Sequence, residues 1–184
     1  MSTTDREDEP AHLRARPRWG LLAIVGVAVL LLDQLTKWWA VETLDDGHVI
    51  DVVWILRFKL AYNTGSAFSL GQGRGALISL LALVVVAVLL RTGRHATRPL
   101  AALALGLVLG GALGNLTDRA FRDGGSEPRD GFLGGAVVDF VDLQHWPIFN
   151  VADSAIVCGA LLLVVSSWRD ERDEDDAASD TTAR

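Results

Sequence analysis

The sequence predicts an α-helical membrane protein with four transmembrane helices and a small extracytoplasmic β-sheet. Three observations lead there. Half of the 184 residues are hydrophobic, and they gather into four blocks with the charge between them and at the ends. Two of the connecting stretches have strand composition. Polar clusters fall near one end of every block, where the alternating topology brings them to one side of a membrane.

The blocks are Trp19–Ala40, Gly75–Leu90, Pro99–Asn115 with a helical continuation to about Phe121, and Ile148–Trp168. Crossing the bilayer core takes about 20 helical residues, with about 17 to 25 the usual range. The first and fourth blocks meet that directly, the other two with their polar ends. Trp19–Ala40 follows Arg14, Arg16 and Arg18, as a signal peptide would. Its apolar run is longer than a signal-peptide core, and three spans follow, so a retained first span is expected. Residues 1–18 form a polar cytoplasmic tail, 19–168 the four-span domain, and 169–184 an acidic cytoplasmic tail. That last tail holds seven of the acids behind the net charge of −6. Both tails are expected to be disordered and solvated.

Orientation follows from the basic residues. Arg14, Arg16 and Arg18 precede the first span, and Arg91, Arg94 and Arg98 lie between the second and third. Glu42, Asp45 and Asp46 follow the first. Positive loops mark the cytoplasmic side, so both termini are expected inside. The loops 41–74 and 119–147 are expected outside. Trp19, Trp38, Trp39, Trp146 and Trp168 fall near span ends, as interfacial tryptophans do.

The outer loops carry the strand signals. His48–Asn63 is rich in β-branched and aromatic residues and holds one or two strands; Gly135–Leu143 holds another. Arg122–Gly135 is turn-rich, and Gly71–Gly75 is a flexible entry to the second span. The single cysteine, Cys158, excludes an internal disulfide and a CxxC or zinc-cysteine site; its plain role is packing or lipid contact. The acidic balance gives no support for nucleic-acid binding.

Five polar clusters lie on the outer side: DQLTK (Asp33–Lys37), NTGSAFS (Asn63–Ser69), GNLTDR (Gly114–Arg119), VVDF (Val137–Phe140) and FNVAD (Phe149–Asp153). Ionisable residues within spans are costly and by default indicate function. Asp139 and Asp153 can meet at the outer interface. Two close carboxylates do not both ionise cheaply, so they share a proton. One can take a proton from water while the other hydrogen-bonds a substrate carbonyl and serves the leaving amine. This is aspartic-protease chemistry, and it needs no metal or cofactor. The plain alternative is two hydrated interface carboxylates. Asn150 shares a helical face with Asp153, and Asn115 and Asp118 repeat that spacing. Asp118 with Arg119, and Asp33 with Lys37, have structural readings as local charge pairs. Gly106, Gly110 and Gly114 form a ridge for close helix approach.

Jointly, the five clusters, the third extended to GALGNLTDR and the last to FNVADSAI, resemble the bacterial lipoprotein signal peptidase (signal peptidase II) family over about Leu21 to Trp168. The resemblance implies a four-span aspartic endopeptidase of the cytoplasmic membrane. Such an enzyme removes signal peptides from prolipoproteins by cleaving before a cysteine that already carries diacylglycerol. It implies Asp139 and Asp153 as the catalytic pair, with Asp33, Lys37, Asn63, Gly65, Gly111, Asn115, Asp118, Arg119 and Asn150 binding substrate or supporting the site. Its partners are prolipoprotein substrates and membrane lipid, and a monomer suffices. Two departures from the family pattern stand out. The segment between Arg119 and Val137 is long, and that between Asp139 and Asn150 is short. A proton-coupled transporter with interfacial carboxylates is the alternative class. It requires polar groups through the membrane depth, whereas here they gather on one side. A serine mechanism lacks a suitably placed histidine, and no HExxH metal motif is present.

Overall fold

The computed structural model describes residues 16–65, 74–123 and 131–182. The amino-terminal tail to residue 15 lies outside them, as do 66–73, with most of NTGSAFS and of the glycine-rich entry. Residues 124–130 of the turn-rich loop and the last two residues also lie outside.

Helix α1 spans Trp19–Leu44, α2 Arg74–Gly93, α3 Pro99–Phe121 and α4 Val151–Thr182. Proline opens α3 at a position where its missing N–H costs nothing. Beyond α1 the chain turns at Gly47, whose φ of +83° suits glycine and whose N–H reaches Leu44 O at 3.1 Å. Among the described residues three helices are long and apolar enough to cross a membrane, and α2 contributes a shorter apolar run, Leu77–Gly93. The Arg18 N–H donates to Ala96 O at 2.8 Å, so the start of α1 meets the α2–α3 connection. The described parts of the polar clusters lie at the opposite end of the bundle.

Helix α3 is the centre, packed against α1 on one side and α4 on the other. Its glycines make that possible. A Cβ on Gly106 would stand 2.8 Å from Leu22 O, and one on Gly110 2.7 Å from Val29 Cβ. A Cβ on Gly111 would collide with Ala152 O, and one on Gly114 with the Asp33 carboxylate. The glycine ridge is thus a packing device, as expected. Leu31, Leu35, Leu81 and Leu161 are all more than half exposed, an outer surface suited to lipid.

The acidic segment after Trp168 differs from expectation. It is not disordered: α4 continues to Thr182. No proline or glycine interrupts residues 160–182, and alanine, arginine and glutamate there favour helix.

Both strand-rich loops join one sheet. Strands β1 (Val49–Val53), β2 (Leu56–Asn63) and β3 (Val137–Asp142) form an antiparallel sheet in the order β1-β2-β3. Edge-on contacts of Trp39 with Phe58 and Phe140, at ring separations of 5.4 and 6.1 Å, fasten the sheet to α1. After β3 the chain doubles back. Val141 and Phe149 exchange backbone hydrogen bonds of 2.8 and 3.1 Å, which returns the chain beside β3 just before α4 begins. That return explains the short segment between Asp139 and Asn150.

Candidate active site

Asp139 lies within β3, opposite Ala61 of β2, and not at the strand's end. The residue is 4% exposed. Asn150 donates from Nδ2 to Oδ1 at 2.7 Å, and Asn63 donates from Nδ2 to Oδ2 at 3.2 Å. The Asn63 amide is itself oriented, because its Oδ1 accepts the Gly65 N–H at 3.0 Å. Gly65 has φ +81°, and a Cβ there would press on Ile78 Cδ1 at 3.0 Å. Glycine is therefore required at the turn that aims Asn63. Burial, chiefly, and then the neighbouring Asp153 charge push the Asp139 carboxyl up to about 6; the two asparagine donors and Lys37 act against them.

Asp153 is presented by the first turn of α4. Asn150 caps that helix: its Oδ1 accepts the Asp153 N–H at 2.9 Å, while Asp153 Oδ2 accepts the Asn150 N–H at 3.3 Å. This is a reciprocal capping box built from Asn and Asp. Asp153 Oδ1 also accepts from Asn115 Nδ2 at 2.8 Å. Helix N-terminal N–H groups and a side-chain amide are the surroundings that suit a charged oxygen.

Below the pair lies a closed ionic cluster. Lys37 Nζ, completely buried, reaches Asp33 Oδ2, Asp118 Oδ2 and Asn115 Oδ1, each at 2.9 Å. An ammonium has three hydrogens and no acceptor, so all its capacity is used. The contact also fixes the Asn115 amide: its oxygen faces Lys37, and its nitrogen must face Asp153. Removing one member of such a buried set costs about 3–5 kcal/mol, because a charge is left without its partner. Arg119, beside the Asp139 and Asp118 charges, donates to Gly135 O at 3.1 Å, holding the chain that enters β3.

The sequence-predicted residues therefore converge, with Gly111 and Gly65 acting through the space they leave open. Two contributors were missed. Gln34 Nε2 lies 3.1 Å from Gly114 O and 3.3 Å from Asp118 Oδ1, and Arg122 Nε lies 3.0 Å from Asp118 Oδ1. The signal for Gln34 was present, as an uncharged polar residue beside Asp33 inside an apolar span.

Two apolar grooves reach the site. One, of about 340 Å³, is lined by Trp146, Phe149, Val157 and Cys158, with Asp153 in its wall. The other, of about 300 Å³, runs between α2, α3 and α4 past Leu81, Val85 and Ile156 and ends at Asn115 and Arg119. Among the described residues no group of His, Cys, Asp and Glu is arranged to hold a metal ion.

Fold and site define a polytopic membrane protein with a buried carboxylate centre at one end of its helices. The family model described as signal peptidase (SPase) II matches residues 25–169. A lipoprotein signal peptidase of Rhodococcus jostii is 45% identical over 168 residues, covering 88% of this chain and 82% of that protein. One from Streptomyces coelicolor is 41% identical over 162 residues, covering 87% of this chain and 76% of that protein. A solved structure described as a bacterial membrane enzyme, determined in meso, superposes with a TM-score of 0.70 at 26% identity, covering 84% of this chain and 97% of its own. The chain belongs to the signal peptidase II family, a family of membrane peptidases.

Proposed function

We propose that this protein is an aspartic endopeptidase that cleaves diacylglyceryl-modified prolipoproteins before the lipidated cysteine, with Asp139 and Asp153 as the catalytic pair. The observation that carries the reading is the shared asparagine. Asn150 donates to Asp139 and caps the helix that bears Asp153, so two carboxylates carried by different elements, β3 and α4, are held as one unit.

Asp153 takes a proton from a water molecule, and the water oxygen bonds to the scissile carbonyl carbon. Asp139, still protonated, hydrogen-bonds the carbonyl oxygen as charge develops there. When the tetrahedral intermediate collapses, the C–N bond breaks. The proton held by Asp153 passes to the leaving amine, and the carboxylic acid product and free amine depart. An apolar substrate entering the grooves displaces water from the pair, which strengthens the desolvation that already lifts Asp139.

Arg91, Arg94 and Arg98 at the far end support an extracytoplasmic site and cytoplasmic termini. The pair then lies at the depth where a lipid-anchored cysteine presents its peptide bond. The apolar grooves suit acyl chains and a signal helix, which need no hydrogen-bond partners. Chemistry of this kind is complete within one chain. Purified protein incubated with a diacylglyceryl-modified precursor should release the signal peptide, while unmodified precursor should remain intact. Equal cleavage of both would remove the lipid requirement from the reading.

A further inference from the structure

We propose that Lys37, through Asp33 and Asp118, is a positioning residue that sets the spacing of the two catalytic carboxylates. Asp33 Oδ1 accepts the Ala152 N–H at 3.0 Å, and Ala152 immediately precedes Asp153. Asp118 Oδ2 accepts the Val138 N–H at 3.1 Å, and Val138 immediately precedes Asp139. The other oxygen of Asp33 and the same oxygen of Asp118 meet on Lys37 Nζ, at 2.9 Å each. One ammonium thus ties down, through one carboxylate on each side, the backbone just before each reacting residue. A third branch runs from Lys37 through Asn115 to Asp153 Oδ1.

Rigidity supports this role. Asp33, Lys37 and Asp118 are at most 1% exposed, so the contacts do not compete with water. Gly114 leaves the space that the Asp33 carboxylate occupies, and Gly111 brings the Ala152 backbone against α3. Gln34 bridges the two acids on their outer side, 3.2 Å from Asp33 and 3.3 Å from Asp118. A cluster needed only to join α1 to α3 requires no contact with β3 or α4. This one reaches both, each time at the residue before a catalytic aspartate.

The inference rests on the two-aspartate reading, and one experiment separates the two. Steady-state cleavage of a diacylglyceryl-modified precursor is measured across pH for Asp33→Asn, Lys37→Met, the double variant Asp33→Asn/Lys37→Met, Asp139→Asn and Asp153→Asn. An amide at position 33 can serve Lys37 or the Ala152 N–H but not both. The double variant removes one charge of each sign, so it keeps the cluster's charge balance, which Lys37→Met alone does not. Displacing reacting groups by about 1 Å costs about 10²-fold in rate. Expected is a kcat lower by about that factor in both Asp33→Asn and the double variant, with KM within about twofold of the parent. In Lys37→Met the alkaline limb of the pH profile moves upward. The charges facing Asp139 are Lys37 from α1, Arg119 from α3 and Asp153 from α4, and the variant deletes one cation from that set. A folded double variant with the parent's kcat and pH profile overturns the positioning role, as does a rise in KM at unchanged kcat. If Asp139→Asn or Asp153→Asn cleaves normally, the dyad reading beneath it fails instead.

Discussion

Asn150 Nδ2 stands 2.7 Å from Asp139 Oδ1, and the Oδ1 of the same carboxamide caps the helix that carries Asp153. One side chain performs two separable tasks. Asn150→Asp keeps the capping oxygen but replaces the donor to Asp139 with a second negative charge. Helix content should therefore stay close to the parent's, while the added buried carboxylate lowers the melting temperature and cleavage falls by about 10²-fold or more, the scale of a lost acid–base arrangement. Asn150→Ala should lose the cap as well, at about 1 kcal/mol of stability. Circular dichroism with a cleavage assay checks both. Near-normal cleavage by folded Asn150→Asp would detach Asn150 from the chemistry.

Asp139 also links folding to pH. Its carboxyl is raised from 3.8 to about 6 in the folded chain, so the folded state holds this proton where the unfolded state has released it. Stability therefore declines as pH rises from about 4 through about 6, and the full cost remains above that. The shift corresponds to about 3 kcal/mol, at 1.36 kcal/mol per unit. Asp139→Asn does not titrate. Its melting temperature relative to the parent should rise between pH 4 and pH 7.5. A constant difference across that range would show that burial of Asp139 imposes no such cost.

The Asn63 donor opposes that upward shift. Asn63→Leu should move the apparent pKa of the kcat/KM profile further upward. Gly65→Ala should act in the same direction, because it strains the turn that aims the Asn63 amide. An unchanged profile in Asn63→Leu would mean that this hydrogen bond does not bear on the titrating group.

Close helix approach predicts a steep contrast among glycines. Gly111→Ala and Gly114→Ala each force a methyl into the Ala152 backbone or the Asp33 carboxylate. Overpacking of this kind costs about 1–3 kcal/mol, and here it moves the start of α4, so cleavage should fall too. Gly20→Ala, with open space around its Cβ, should be neutral or slightly stabilising. Thermal unfolding in detergent gives the order, and equal effects at Gly20 and Gly111 would contradict the packing account.

Topology can be read by labelling. In a Cys158→Ala background, Asp46→Cys should react with an impermeant maleimide in intact cells. Thr92→Cys should react only after permeabilisation. The reverse pattern would place the carboxylate pair on the cytoplasmic side.

Much of this was legible in the sequence because the lipid environment is unforgiving. Asp33, Lys37, Asn115, Asp118 and Asp153 are conspicuous in apolar segments, and their gathering at one end follows from alternating spans. The strand runs around Phe58 and Val138 were visible in β-branched and aromatic composition. Pairings across the fold were not. The Lys37–Asp118 contact joins residues separated by 80 intervening positions, and no local periodicity encodes it. A local Asp33–Lys37 pair was expected; the bridge to the backbone before Asp139 and before Asp153 depends on how α1, α3, β3 and α4 meet. The segment beyond Trp168 was misread because its charge suggested solvation, whereas helix propensity carries α4 onward to Thr182.

The central claim is that Asp139 and Asp153 together perform the cleavage. The most direct test is a single-turnover assay of purified Asp139→Asn and Asp153→Asn on a diacylglyceryl-modified precursor, beside the parent protein and with folding confirmed for each. The account predicts a loss of about 10²–10⁴-fold or more in each variant, the range for removal of a general acid or base. Cleavage at the parent's rate by either folded variant would contradict it.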